Sequence, residues 1–289
     1  MVPGPAEAAN LISEILFIDA PPRSTREVLL AIIITQKWFV GDEANDRADL
    51  WLRRFERRAD FIITKIIDAG GYLLFSFNSS GKDFLQGACY AEPHEPPDYK
   101  LAKARRASTL RVYQHCCNLT PERFEQLSGK ILSLLRVETS HVSRRSGDQG
   151  IDFFGRVPLG EMLKPGLLNP GAEKNIFVWL VGQAKHYQDT KVSTADVREL
   201  VGSVEFARAK VFAGTIDPLS ELTARLCDPI IYLFFTTGRF TRDSVDLLTR
   251  SGVLSFDGLQ ISQFLADHGV GIIHDKFDET EFNTWLNLI

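Results

Sequence analysis

The stretch GDQGID at residues 147–152 is a glycine-rich turn that delivers an aspartate onto an apolar strand. The next apolar strand ends in QAK at residues 183–185. Alternate residues of a strand face the same side, so Gln183 and Lys185 point the same way. If the two strands pair antiparallel, Asp152 lies beside that pair. The two stretches therefore predict one polar cluster at the end of a sheet.

These residue types have the chemistry of a metal site. The Asp152 carboxylate, the Gln183 side-chain oxygen and the Ala184 backbone carbonyl are hard oxygen ligands, which suit Mg²⁺. Hydrolysis of a phosphodiester uses such a metal to activate water and to stabilise charge that grows on the phosphate. A lysine beside the metal, here Lys185, can orient the attacking water.

The chain around this cluster alternates between strands and helices. Apolar strands are expected at 151–157, 176–183 and 229–236, with a glycine- and proline-rich loop at 158–175. Helices are expected at about 120–135, 193–212, 241–250, 259–267 and 279–288, and a short strand at 269–273. Continuous apolar strands between helices predict an α/β fold whose sheet is covered on both faces.

In this order and spacing, the motifs resemble the Mrr-like restriction endonuclease branch of the PD-(D/E)xK nuclease superfamily. The resemblance covers roughly residues 119–270. It rests on Phe124-Glu125, GDQGID (147–152), QAK (183–185), VRELVG (197–202), FTTGRFT (235–241) and DGL (257–259).

The resemblance implies a restriction-endonuclease-like core, a mixed central sheet flanked by helices. It implies that Asp152 is the central metal ligand, that Lys185 is the catalytic lysine, and that Gln183 takes a position usually held by Glu or Asp. The Ala184 carbonyl and the helix carboxylate Glu125 would complete the site. The implied cofactor is Mg²⁺, for which Mn²⁺ can substitute.

One departure from the superfamily pattern bears on the metal. Gln183 is neutral, so the site has one negative charge fewer than the common pattern, although the Mrr-like branch is known for Gln here. We expect weaker Mg²⁺ binding rather than loss of activity. The structural alternatives are that Asp152 caps a turn and that Lys185 and Glu125 are solvated surface side chains.

Upstream of the resemblance, the sequence predicts a separate α+β domain at residues 1–115, followed by the nuclease domain at 116–289. Helices are expected at 6–17, 24–37 and 42–69, and a hairpin with strands at 72–77 and 83–90. Helices followed by a hairpin fit either a winged-helix DNA-binding module or a generic α+β domain. The stretch 92–99, with three prolines, reads as a linker.

Two basic clusters are candidate nucleic-acid contacts. Lys103, Arg105 and Arg106 follow the proline-rich stretch, and Arg144 and Arg145 precede the glycine-rich turn. Arginine binds phosphate through two parallel hydrogen bonds. The alternative for both clusters is a solvated surface. Because the formal net charge is −4, any contact with nucleic acid depends on local patches.

The 289 residues, 44% hydrophobic and 24% charged, are typical of a globular protein and exclude a disordered or fibrous chain. No apolar run approaches the roughly 18–20 residues that span a bilayer. The N-terminus lacks the features of a secretory signal. Four cysteines, none in a CxxC pair, fit reduced thiols and a cytoplasmic location.

The sequence thus predicts a Mg²⁺-dependent endonuclease that hydrolyses DNA, in restriction or antiphage defence, and that acts as a homo-oligomer without a membrane segment. One alternative is a nuclease subunit that is inactive without partner defence proteins. Another is a non-catalytic nucleic-acid-binding module on a degenerate nuclease fold. RNA as the substrate stays open, because phosphate chemistry is shared and nothing here reads a 2′-hydroxyl.

Overall fold

The structure is a computed structural model that describes residues 3–137, 139–143, 150–163, 176–211 and 219–288. Its internal contacts divide the chain into two compact units. The first unit is Met1–Thr109 with Ile272–Phe277, and the second is Leu110–Gly271 with Asp278–Ile289. Among the described residues, no helix has both the length and the apolarity that a membrane span requires.

The first unit contains helices and a small antiparallel sheet. Its elements are α1 (Pro5–Asn10), α2 (Ile12–Ile15), β1 (Arg23–Ser24), α3 (Thr25–Thr35), α4 (Gly41–Asp68), β2 (Phe75–Asn78), β3 (Gly81–Gly87) and α5 (Pro97–Arg106). The strand order is β1-β3-β2, with both pairings antiparallel. The three predicted helical segments and the hairpin are confirmed, although the first segment is broken into two short helices. This order of elements fits the winged-helix alternative, which stays a prediction.

Amphipathic helices build the core of the first unit. Helix α3 buries Val28, Leu29, Ile32 and Ile33, and α4 buries Trp51 and Phe55 with three alanines. These side chains form one apolar cluster with Leu85 of the hairpin and with the first two helices. The spacing of three and four residues between them is the helical period read from the sequence.

The stretch 92–99 does not act as a linker. Glu92 is buried and accepts hydrogen bonds from the Ser79 hydroxyl and from Gln86 Nε2 (3.0 Å), which ties it to the hairpin. The hydrogen bond from the Ser79 hydroxyl has the largest effect on the pKa of Glu92. Together with the others it holds that pKa below its usual range, although burial acts in the opposite direction. Pro97 then opens α5 in the first turn, where its missing amide hydrogen costs nothing. The linker expectation was wrong because composition does not show which polar residues find buried partners.

The larger sheet lies in the second unit. Among the elements from residue 109 onward, the hairpin formed by residues 272–277 belongs to the first unit. The elements in chain order are α6 (Thr109–Asn118), α7 (Pro121–Leu134), β4 (Ser140–Val142), β5 (Phe153–Pro158), α8 (Leu159–Met162), β6 (Phe177–Lys185), β7 (Lys191–Val192), α9 (Thr194–Arg208), β8 (Ile230–Thr236), β9 (Arg239–Phe240), α10 (Arg242–Ser251), β10 (Leu254–Phe256), α11 (Gly258–Asp267), β11 (Ile272–Ile273), β12 (Lys276–Phe277) and α12 (Glu279–Asn287). The predicted strand at 269–273 is shorter than expected and pairs with β12.

The main sheet has five strands in the order β10-β8-β6-β5-β4. The β6–β8 and β8–β10 pairs are parallel, whereas β5 runs antiparallel to both β4 and β6. On one face of the sheet, α7 lies against Phe153: a Cβ placed on Gly129 of α7 would stand 3.9 Å from the Cβ of Phe153. On the other face, α9 packs against Phe154 and Val181. The predicted α/β class with a mixed, helix-flanked sheet is confirmed.

Gly182 lies at a closely packed point of this sheet. It pairs with Phe153, and a Cβ at Gly182 would stand 2.3 Å from Phe153 Cζ. We expect Gly182→Ala to lower the free energy of unfolding by about 1–3 kcal/mol, the usual cost of overpacking a core. Urea titration followed by circular dichroism measures this change.

Gly202→Ala is the matched control. Gly202 lies within α9, and a Cβ there would meet no described atom within 4 Å. This substitution should raise stability by about 0.5–1 kcal/mol, because alanine favours a helix interior. Equal effects of the two substitutions would show that the Phe153 ring moves aside freely.

Candidate active site

The antiparallel pairing of β5 and β6 places Asp152 beside the QAK residues. The Asp152 amide donates to the Gly182 carbonyl (3.0 Å), and Asp152 Oδ2 accepts from the Ala184 amide (2.7 Å). Asp152 is 7% exposed. A buried carboxylate held by a backbone donor has a fixed position. The predicted juxtaposition of Asp152 with residues 183–185 is therefore present.

Alternation along β6 decides which side chains share a face. Val181 packs in the cluster that contains α9, so Gln183 and Lys185 also face α9. Ala184 and His186 face the other side, where the His186 ring lies edge-on to Phe124 of α7, with 5.7 Å between the ring centroids. The pair predicted from the QxK spacing thus lies on one face.

Glu199 on α9 completes this face. Its Oε1 accepts from Gln183 Nε2 (3.2 Å), and its Oε2 lies 3.5 Å from Lys185 Nζ. The Glu199 side chain is 49% exposed, so it borders the solvent. The sequence places this residue in the helix after the QAK stretch, without a role. It is separated from Lys185 by a complete turn and the start of a helix, and no local pattern connects the two.

Gly150 lies against Gln183 and Glu199 and borders the site. Its φ is +80°, a conformation that favours glycine, and a Cβ there would stand 3.3 Å from Gln183 Nε2 and from Glu199 Oε1. Ser203 Oγ would be closer still, at 2.6 Å. Any side chain at position 150 would therefore push into the site.

The donor set fits a divalent cation with oxygen ligands. Gln183 Oε1 is buried and has no hydrogen-bond partner among the described residues, although a buried amide oxygen needs one. The Ala184 carbonyl points to the same lateral side of the strand as its amide, which is the side of Asp152. Within the described ranges no three His, Cys, Asp or Glu residues could hold a metal by themselves. A metal here would need the amide and carbonyl oxygens, which suits Mg²⁺.

Glu125 lies on the other side of the sheet from Glu199. It is half-buried on α7, next to Phe124, whose ring contacts His186 at the end of β6. The helix starts where the sequence predicts, because the Thr120 side chain accepts from the Arg123 amide (3.3 Å) and Pro121 occupies the first turn. The role of Glu125 as a ligand stays a prediction.

The turn after Lys185 is anchored to the start of α9. The Tyr187 hydroxyl donates to Asp196 Oδ1 (3.0 Å), and the Thr237 hydroxyl donates to the Tyr187 carbonyl (3.0 Å). Burial, together with the hydrogen bond to Asp196, raises the pKa of Tyr187 to about 12. Burial opposes ionisation of Asp196, but hydrogen bonds from Ser193 and Tyr187 outweigh it and lower its pKa. Tyr187 thus stays neutral and positions the end of β6.

The predicted nucleic-acid contacts fall into two groups. Lys103 is held by hydrogen bonds within the first unit: its Nζ donates to the Tyr90 carbonyl (2.8 Å) and to Glu95 Oε1 (2.5 Å). Arg105 and Arg106 lie with it near the end of α5. Arg144 and Arg145 lie outside the described residues, as does most of the glycine-rich turn. Contact of any of them with nucleic acid stays a prediction.

Asp152 and the QAK residues thus lie where β5 and β6 meet in a mixed sheet that is flanked by helices. Residues 117–216 match the family model of the Mrr catalytic domain, described as "Restriction endonuclease". The resemblance seen in the sequence is therefore confirmed for this segment, which contains Glu125, Asp152, Gln183, Lys185 and Glu199.

Several solved restriction endonucleases are similar to this chain. MspJI in complex with a 27-mer oligonucleotide has 19% identity and a TM-score of 0.36 over 62% of this chain and 36% of that chain. The DNA modification-dependent restriction endonuclease AspBHI has 18% identity and a TM-score of 0.37, over 73% of this chain and 46% of that chain. FokI bound to DNA has 11% identity and a TM-score of 0.37 over 91% and 45%.

The chain therefore spans less than half the length of each of these endonucleases. No curated protein matches it in sequence.

Proposed function

We propose that this protein is a Mg²⁺-dependent endonuclease that hydrolyses DNA phosphodiester bonds in restriction or antiphage defence. The proposal is carried by two groups at the end of β6: the buried Gln183 Oε1, which has no hydrogen-bond partner among the described residues, and the Asp152 carboxylate, which is held by the Ala184 amide. Two oxygens held at one strand end, with a lysine on the same face, are what metal-assisted attack on a phosphate requires. The family match and the endonuclease neighbours support DNA as the substrate.

Each side chain has a distinct task in this proposal. Asp152, Gln183 Oε1 and the Ala184 carbonyl would hold the cation, with Glu125 as a further candidate ligand. The bound metal would lower the pKa of a water molecule and neutralise charge on the phosphate. Lys185, whose side chain is 23% exposed, can reach a substrate phosphate and orient the attacking water. The Ala184 amide keeps Asp152 in place throughout.

Glu199 supplies the charge that Gln183 lacks. Its carboxylate accepts from the Gln183 amide nitrogen, which leaves Oε1 as the atom available to a metal. The second carboxylate oxygen faces Lys185 and holds its ammonium group near the strand end. Glu199 is thus a positioning residue that orients both members of the QxK pair.

Glu199→Gln is expected to reduce both Mg²⁺ affinity and the cleavage rate by about 10–100-fold, the usual effect of losing a group that orients a metal ligand. Glutamine keeps the size of the side chain but removes the negative charge and one acceptor oxygen. Raised Mg²⁺ should restore part of the rate if the loss lies in affinity. Cleavage rates over a Mg²⁺ titration measure the effect.

Glu205→Gln serves as the control on the same helix. Glu205 accepts a hydrogen bond from Tyr232 and is placed away from the strand end. It should change stability slightly and leave the Mg²⁺ dependence as in the wild type. A Glu199→Gln variant with the wild-type Mg²⁺ dependence would remove Glu199 from the site.

The function is tested by incubating the purified chain with plasmid, methylated genomic DNA and RNA in Mg²⁺, Mn²⁺ or EDTA. We expect cutting of DNA in either metal and none in EDTA. Cutting of RNA alone would overturn the substrate class. No cutting, with calorimetry that detects no metal uptake, would favour the non-catalytic binding module. Metal uptake without cutting would favour a subunit that needs partner defence proteins.

A further inference from the structure

Helix α4 has a face that the described residues of the first unit leave exposed. Its 28 residues span about 42 Å, and the face opposite the buried Trp51 and Phe55 is open to solvent. Two large apolar side chains lie on it, Leu50 at 69% and Phe61 at 54% exposure. Val40, which precedes the helix, is 75% exposed. Apolar side chains that are exposed one at a time do not by themselves indicate an interaction surface, so the case for one rests on the charge pattern of this face.

The residues of this face form a regular pattern, here named the α4 stripe. Its members, at steps of three and four, are Glu43, Asp46, Leu50, Arg54, Arg57 and Phe61. This spacing keeps them in one row along the helix, as in the seam of a coiled coil. The stripe is acidic before Leu50 and basic after it.

The order of charges makes the stripe complementary to itself in the antiparallel sense. Asp46 and Arg54 lie four residues on either side of Leu50, and Glu43 and Arg57 lie seven on either side. A two-fold axis through Leu50 would therefore place each acid of one copy opposite a base of the other. The same axis would set Leu50 against Leu50 and Phe61 near Val40, so that apolar groups meet apolar groups.

We propose that α4 pairs with α4 of a second copy of this chain, antiparallel about Leu50, so that the protein forms a homodimer through its first unit. Isologous pairing of this kind requires a surface that complements itself, which the α4 stripe is. The contact is independent of the proposed nuclease chemistry. It would bring two catalytic units into one assembly.

The same axis places Arg47 of one copy opposite Arg53 of the other, which opposes the contact, whereas the other neighbours of the stripe are compatible with it. Asp49 is held by Arg26 of α3 in a two-point ion pair (2.5 and 2.9 Å), so it faces away from the stripe. Glu43 has an Arg47 nitrogen at 3.6 Å on its own helix, and that guanidinium also lies over Phe39. Arg58 covers one side of Phe61 at 5.1 Å and leaves the ring exposed. These contacts stiffen the stripe without covering it.

A duplex of DNA is the competing occupant, since several arginines lie in the second half of α4. The first half of the stripe argues against it, because Glu43 and Asp46 would face phosphates of the same charge. The stripe as a whole carries two acids and two bases. A second copy of the chain would offer bases to the acidic half of the stripe and acids to its basic half.

The test is the mass of the full-length chain in solution, by light scattering after gel filtration. We expect twice the 32.5 kDa of the chain. Reversal of the bases (Arg54→Glu with Arg57→Glu) or of the acids (Glu43→Arg with Asp46→Arg) should raise the dimer dissociation constant at least about 10-fold, because like charges then face each other. An equimolar mixture of the two variants should form heterodimers, and all four substitutions in one chain should restore the homodimer.

If the four-substitution chain dimerises again, the reversals disrupted pairing and not folding. Unchanged melting temperatures of the two reversal variants check the same point. A second test places a cysteine on the axis: Leu50→Cys in a Cys227→Ser background should give a disulfide-linked dimer in air. Ile67→Cys, also exposed but off the stripe, should not. A monomeric wild type overturns the proposal, and so does a dimer that survives both reversals. Weaker DNA binding on base reversal, with unchanged mass, would assign the stripe to DNA.

Discussion

Replacing Lys185 with alanine is expected to lower the rate of DNA cleavage by about 10²–10⁴-fold, the range for removing a group that orients a proton transfer or stabilises transition-state charge. Lys185 ends β6, shares a face with Gln183, and lies 3.5 Å from Glu199. The methyl group of alanine can neither orient water nor offset charge on the phosphate. Single-turnover cleavage of a labelled duplex measures the loss.

The matched control is Lys191→Ala, an exposed lysine of the same unit on β7. It should cut DNA at the wild-type rate, so that a general loss of positive charge is separated from the loss of Lys185. Metal uptake by Lys185→Ala should stay close to wild type, because lysine donates no ligand. Cleavage at the wild-type rate by Lys185→Ala would refute the assignment of the site.

The second large effect is expected from Asp152→Asn, with metal affinity reduced at least about 100-fold and no detectable cleavage at millimolar Mg²⁺. Asparagine retains an oxygen that can accept from the Ala184 amide, so the strand end should persist. What is lost is the negative charge of the central ligand. Calorimetric titration with Mn²⁺ and the cleavage assay measure the two quantities separately.

Asp228→Asn provides a control at another buried aspartate of this unit. Asp228 is 6% exposed, and its carboxylate accepts from Arg225 in an ion pair at 2.7 Å. Its loss should cost stability and leave metal affinity unchanged. If Asp152→Asn bound Mn²⁺ as tightly as the wild type, the cation would have to lie elsewhere.

Much of the candidate site was predictable because its pattern is local. Alternation along a strand puts Gln183 and Lys185 on one face wherever the strand lies. Asp152 directly precedes the neighbouring strand β5, whose antiparallel register brings it to Ala184. Helix starts were local as well: the helix expected from residue 193 begins there, because Ser193 and Asp196 form a capping box.

Glu199 could not be predicted in the same way. It meets Gln183 and Lys185 only because α9 packs over the end of β6, and that packing is set by a cluster of apolar side chains from several elements. The linker prediction for the stretch 92–99 was wrong for a related reason. Its prolines and polar residues suggest a linker, but Glu92 finds buried donors on a hairpin formed by residues earlier in the chain.

By itself the sequence determined the class of fold, the strand that carries QAK and the faces of its residues, because each follows from short-range periodicity. The type of metal ligand stays a prediction from side-chain chemistry. Only the tertiary structure decided that Glu199 joins the site, that Glu125 lies on the opposite face, and that the 272–277 hairpin belongs with the first unit. These depend on which surfaces pack together. That is set by burial of apolar area over the whole chain, which no local pattern encodes.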